Sequence, residues 1–209
     1  MAAKLTFGLI GDDVAAITFA EALEEVGHVQ LEDWKAADLV LLGVPSAELK
    51  TVIDELTAEN LWQPGQMVAH FAGEFGYSIL NPGLPIGIIP LAIHPAMQFT
   101  GTQSTDLLRM RESYFAVDAP EPAVPIAQAL VIDMGSEPIV ISGEHRAKYF
   151  EAWSVASSFS ALVVNQAIGL LEEIGIEHAR AVIGPAVRSA VDQALAAGHQ
   201  PFDPDELLP

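Results

Sequence analysis

The chain predicts an α/β architecture: a mostly parallel sheet with helices on both faces and a shortened second βα unit, followed by an α-helical C-terminal domain. Three observations carry this. Continuous apolar runs such as residues 37–44, ADLVLLGV, are typical of strands covered on both faces. Up to about residue 142 these runs alternate with helical patterns, the rhythm of a parallel sheet. From Gly143 onward the apolar residues recur every three or four positions, so the remainder is helical. The division expected is 1–142 and 143–209.

The first unit organises the rest. Leu5, Phe7, Leu9 and Ile10 form a short strand, and Ala15, Ile17, Phe19, Ala22, Leu23 and Val26 line a helix that stops at Gly27. Between them lies FGLIGDDVAA, with the layout of a dinucleotide-binding turn. In G-x-G-x-x-G/A the first glycine makes the turn, the second admits the pyrophosphate to the backbone, and the third packs helix on strand. Those places fall here on Gly11, Asp13 and Ala16. The second therefore carries a Cβ and a negative charge. The candidate cofactor-binding residues are Gly11, Asp12, Asp13 and Val14, with Pro45 and Ser46 at the next strand end.

Magnitudes decide against tight binding there. The dipole of the first helical turn favours an anion by roughly 0.3–1 kcal/mol. One carboxylate about 4 Å from a phosphate charge opposes it by about 4 kcal/mol at an effective dielectric near 20. NAD or NADP is therefore expected to bind weakly or not at all, and NADP worse, because Lys35 follows Glu32 and Asp33.

Residues 28–31 read as a second strand, but only residues 32–36 separate it from the run at 37–44, so about one βα unit is missing. A helix follows from Pro45-Ser46 through Leu49, Val52, Ile53 and Leu56. Residues 66–71 and 86–93 are two further buried strands, joined by a short crossover through Tyr77 and Asn81. Residues 114–117 and 138–141 are two shorter ones, with a helix over 124–134 between them. One long helix is expected up to Gly175. A second, interrupted or bent at Gly184-Pro185, is expected over 177–197, with a loose tail, PFDPDELLP, after it.

Composition narrows the partners. With 51% hydrophobic residues in 209, a packed core is ample. The net charge of −19 and nine scattered Lys and Arg exclude a basic patch for nucleic acid and disfavour anionic lipid. No cysteine is present, which suits a reducing cytoplasm. Residues 152–171 lack any charge but include Ser154, Ser157, Ser158, Ser160, Asn165 and Gln166. They read as a helix buried among others rather than a membrane span, and as a surface for a homodimer.

Ligands of doubly wound sheets sit beyond the C-terminal strand ends. Two histidines, His70 and His94, leave strands read as parallel neighbours, and are expected to approach each other across the cleft mouth as candidate general acids or bases. The alternative is that each imidazole bonds a loop carbonyl. Lys148 is the third catalytic candidate, as a cation reaching the cleft. Ser46 is read as an anion ligand or a helix N-cap, and Gln98, Thr100 and Gly101 as a polar loop wall. No metal-ligand spacing occurs.

At His70-Phe71-Ala72-Gly73 and His94-Pro95-Ala96-Met97-Gln98-Phe99, and through Arg146, Tyr149 and Ala156-Ser157, the chain resembles a family. It is similar to Rossmann-like proteins described as NAD(P)-dependent oxidoreductases, whose uncharacterised helical C-terminal half is related to that of 6-phosphogluconate dehydrogenase. The resemblance implies an architecture close to pyrroline-5-carboxylate and ketopantoate reductase-type enzymes. It also implies a nucleotide on Gly11 to Val14 near Pro45-Ser46, and a small-molecule substrate near Tyr149 to Ser157. Three departures stand out: Asp13, the curtailed second βα unit, and Ser158 where asparagine is common. Two functions follow as expectations, a Rossmann-type dehydrogenase or reductase, and a non-catalytic descendant serving as a binding or regulatory module.

Overall fold

The structure, a computed structural model, describes residues 4–199; the tail expected to be loose lies outside them. Seven strands form one sheet in the order β2-β1-β3-β4-β5-β6-β7. They are β1 Thr6–Gly11, β2 Val29–Gln30, β3 Leu39–Gly43, β4 Met67–His70, β5 Ile89–Pro95, β6 Tyr114–Asp118 and β7 Glu137–Val140. All neighbours are parallel except β5 and β6, which pair antiparallel. This is the Rossmann-like α/β fold that the alternation predicts. Helices α1 Val14–Glu25, α2 Ser46–Ala58, α3 Gln103–Arg111 and α4 Val124–Asp133 connect the strands.

The double-sided burial of β3 shows why its sequence is apolar throughout. Leu39 and Leu41 join a core with Phe7, Phe19, Leu91 and Phe115. Val40 and Leu42 join a second core on the other face with Leu49, Ile53, Trp62 and Leu80. Alternate residues point to opposite faces, so every position of this strand is buried.

The second βα unit is indeed curtailed. β2 has only two paired residues, shorter than the expected strand over 28–31, and a 3-10 turn at Trp34–Ala36 replaces a helix. Trp34 packs edge-on to Trp62, with ring centroids 5.9 Å apart, and so covers the sheet there. The crossover between β4 and β5 is a 3-10 segment, Tyr77–Ile86. Helix α3 has no counterpart in the apolar period; Asp106 in its first turn and Arg109 and Arg111 in its last suit the helix dipole.

The C-terminal helical stretch comprises α5 Arg146–Ser154, a π-helical turn at Val155–Phe159 and α6 Ser160–Glu173, followed by α7 Ala179–Ala197. Gly184-Pro185 does not interrupt α7. Two compact units meet at 153/154, and α5 is anchored on the sheet through Arg146.

In the second unit, α6 and α7 pack on each other. The expectation that residues 152–171 are buried among helices is not met in the single chain. Phe159, Leu162, Val163 and Leu170 are each more than half exposed, because one neighbouring helix covers only one face of α6. The stretch Gly143–Glu173 is long enough to cross a membrane and holds an 18-residue apolar window of mean hydropathy 1.5, none of it buried.

Candidate functional site

At the end of β1 the chain turns into α1 as the fingerprint requires at two of its three positions. Gly11 has φ +89°, and a Cβ there would lie 2.1 Å from the Gly43 carbonyl oxygen. A Cβ on Gly43 would lie 2.7 Å from that of Ala16, so strand β3 and helix α1 approach as closely as small residues permit.

Asp13 behaves differently. It adopts φ −60°, ψ 135° as the N-cap of α1, and its Oδ1 accepts the Ala15 amide at 2.9 Å. Its own amide donates to the Gly43 carbonyl at 2.9 Å. The Asp13 amide, which would face a pyrophosphate, is thus engaged, and the helix N-terminus carries its own carboxylate. Asp12 and Val14 are exposed beside it. These residues do not fit a dinucleotide pyrophosphate in the fingerprint manner.

Helix α2 is capped by Pro45, whose carbonyl accepts the amides of Glu48 and Leu49 at 2.9 and 3.1 Å. Ser46 is therefore the first helical residue and not the N-cap that its position after the strand implies. Glu48 adds a further negative charge in that first turn. Asp33, at the place of a ribose-binding acid, accepts the Lys35 amide at 3.2 Å and caps the 3-10 turn. In the loop before α3, Thr100 and Gly101 donate to the Asp106 carboxylate at 2.8 and 2.9 Å.

His70 and His94 do leave adjacent parallel strands. His70 pairs in register with Ala92, two residues before His94, so both side chains share one sheet face. Their environments differ. His70 is fully buried inside the fold rather than at a cleft mouth. Its Nε2 donates to the Gly76 carbonyl at 3.1 Å, leaving Nδ1 buried without a partner among the described residues. Burial, aided by the Arg146 and His94 charges, pushes its pKa down to about 3. His70 thus meets the loop-carbonyl alternative and holds the loop after β4.

His94 is the chemically open one of the pair. Its Nδ1 lies 2.8 Å from Tyr149 Oη. Tyr149, Phe150 and Trp153 surround the imidazole edge-on at 5.5, 5.9 and 5.3 Å between ring centroids. Burial and then the Arg146 charge push its pKa down to about 4, and burial pushes Tyr149 up to about 12. Both are neutral near pH 7. Gly73 completes the enclosure, since a Cβ there would come 2.9 Å from His94 Nε2 and 2.5 Å from Phe150.

Lys148 stands apart from this cluster. Its side chain is 81% exposed and its Nζ pairs with Glu151 at 2.7 Å, as expected three residues apart on a solvated helix face. It lines an open, apolar groove of about 620 Å³ with Val140, Ile141, Ser142 and Tyr149, so Tyr149 contributes both to this groove and to the His94 cage. The residue that the strand-end reasoning leaves out is Arg146, fully buried at the start of α5. Its signal in sequence is faint: an arginine three residues before a tyrosine, which places both on one helix face.

Residues 29–95 match the family described as a Rossmann-like domain, and residues 113–201 match a domain of unknown function, DUF2520. The two matches follow one another along the chain. No curated protein matches its sequence. Among solved structures, a candidate NADP oxidoreductase from Bacteroides fragilis superposes with a TM-score of 0.74 at 14% identity, over 95% of this chain and 85% of that one. A 1-pyrroline-5-carboxylate reductase from Streptococcus pyogenes gives 0.64 at 14% identity, over 98% and 83%. An imine reductase from Streptomyces aurantiacus gives 0.69 at 14% identity, over 90% and 73%. At these identities the likeness concerns the fold. The DUF2520 match takes in Arg146, Tyr149 and the helices after them, and the Rossmann-like match takes in His70 and His94.

Proposed function

We propose that this chain is a Rossmann-type dehydrogenase or reductase acting on a small-molecule substrate, with a degenerate dinucleotide-binding turn. The observation that carries the reading is the His94–Tyr149 hydrogen bond at the C-terminal end of β5, enclosed by three aromatic rings and Gly73. A neutral imidazole beside a polarisable carbonyl or imine carbon is a hydrogen-bond donor that needs no solvent. The imine and pyrroline-5-carboxylate reductases of the same fold make such a carbon the substrate class to test first. His94 and Tyr149 carry the polar contact, His70 holds the loop, and Lys148 remains on the solvated face.

The capped turn at Asp13 favours a second reading, a non-catalytic descendant serving as a binding or regulatory module. The first reading needs NAD or NADP to bind, however weakly; under the second neither need bind. We further infer a homodimer through the exposed apolar face of α6 and α7, located in the cytoplasm, without nucleic-acid or membrane partners.

Thermal shift with NAD, NADH, NADP and NADPH, each with and without a cyclic imine, tests the reading. A ligand at a hundred times its dissociation constant adds about 2.7 kcal/mol. Oxidation of NADH or NADPH dependent on the imine and abolished by His94→Ala supports the reductase; binding of the imine without turnover supports the second reading.

A further inference from the structure

Arg146 is an unusual residue to find with no exposed surface. Its Nε donates to the Ile141 carbonyl at 3.1 Å, and its Nη2 to the carbonyls of Ala92 and Ala116, each at 3.0 Å. Ala92 lies on β5 two residues before His94, Ala116 is the register partner of His94 on β6, and Ile141 follows β7. One guanidinium therefore ties α5 to three neighbouring strands at the level of His94. Three residues further along α5, Tyr149 reaches His94 Nδ1, and Phe150 and Trp153 close over the ring.

The titratable and charged groups gathered here are His70 on β4, Asp118 on β6, Arg146 and Tyr149 on α5, and Glu74 in the loop beside Gly73; β5 itself contributes none besides His94. Asp118 accepts the Tyr77 amide at 3.1 Å and forms no ion pair with His94. The permanent cation is Arg146, and it opposes a second proton on the imidazole. A phenol is the better donor and an imidazole nitrogen the better acceptor. The Tyr149 hydroxyl therefore donates to Nδ1, and the ring proton resides on Nε2. That nitrogen faces Gly73, where any larger residue would cover it.

We propose that Arg146 is a positioning residue which, together with Tyr149, holds His94 as a neutral imidazole with its proton on Nε2, so that the site presents a fixed N–H donor rather than an imidazolium acid. This rests on reading His94 as the group that faces substrate. It defines how that group works, as a hydrogen-bond donor to the oxygen or nitrogen of a carbonyl or imine.

Long-range ¹H–¹⁵N correlation spectra of the labelled full chain test it without cofactor or substrate, so failure of the reductase reading yields a separate result. The expected spectrum shows His94 with a protonated Nε2 and a bare Nδ1, unchanged from about pH 8 down to about pH 5. In Arg146→Met the His94 midpoint rises by about one pH unit or more, and in Arg146→Lys, which keeps the charge but loses the fork, by less. Tyr149→Phe removes the tautomer preference while His94 stays neutral, and it remains informative if the Arg146 variants do not fold. A proton on Nδ1 in the parent, or a parent His94 that titrates near its ordinary value, overturns the proposal, as does an Arg146→Met variant that folds and leaves the midpoint unmoved.

Discussion

Asp13 Oδ1 lies 2.9 Å from the amide nitrogen of Ala15, so the carboxylate that replaces the second fingerprint glycine serves as the cap of the helix that follows it. Removing the side chain without freeing the backbone isolates that contribution. Asp13→Ala is expected to lower stability by about 1 kcal/mol, and Asp13→Gly by only a few tenths, because glycine is itself an acceptable N-cap. Urea denaturation of the two variants checks the order; an alanine variant as stable as the parent contradicts the capping role.

The buried histidines make stability depend on pH. His70 and His94 are depressed to about 3 and about 4 from an ordinary 6.5, so the unfolded chain binds protons that the folded one refuses. Their contribution is fully present above about pH 6.5 and is lost as the pH falls toward 4 and then 3. At pH 5 the two together cost roughly 4 kcal/mol relative to pH 7, because each tenfold difference in proton affinity between the folded and unfolded chain is worth about 1.36 kcal/mol. Urea midpoints at the two pH values measure this. Equal midpoints would show that both rings are solvated.

Gly73 is expected to tolerate no side chain. A Cβ there falls 2.5 Å from Phe150 and 2.9 Å from the His94 ring, and these rings pack edge-on against each other. Gly73→Ala should cost about 1–3 kcal/mol, the usual range for overpacking, and should shift the His94 ring resonances. A variant that melts with the parent would mean that the cage is looser than its geometry.

Much of this was legible from the residues alone. The alternation of apolar runs and helical periods carries the parallel order of β1, β3, β4 and β5, and the few residues between 31 and 37 reveal the missing βα unit. The two histidines show the limit. Each follows an apolar run, and nothing local separates them. What separates them is Gly76, six residues from His70, and Tyr149, fifty-five residues from His94. Arg146 stands among the residues of the family resemblance, but its role is hidden for the same reason, since its three partners are main-chain carbonyls that carry no residue signature. At Asp13 the charge is readable, but the engagement of its amide by Gly43 depends on a strand that pairs from elsewhere in the chain. The exposure of Phe159 and Leu162 is not readable, because composition reports apolarity and not what covers it.

That exposed surface gives a further expectation. A chain of 22.2 kDa with Leu162 and Val163 at 63% and 69% exposure should scatter light as a dimer at micromolar concentration, since such patches mark interaction surfaces. Leu162→Glu should shift it to monomer while leaving the sheet domain folded. A parent that runs only as monomer removes the dimer.

Calorimetric titration with NAD(H) and NADP(H), on the parent and on Asp13→Gly, is the most direct test of the claim that this nucleotide turn carries its own anion. The parent is expected to show no dissociation constant below about 10 μM, some 7 kcal/mol of binding, while Asp13→Gly, with the carboxylate and its Cβ removed, gains affinity for NAD ahead of NADP. A parent that binds either dinucleotide more tightly than that, or a glycine variant that folds and binds no better, would contradict it.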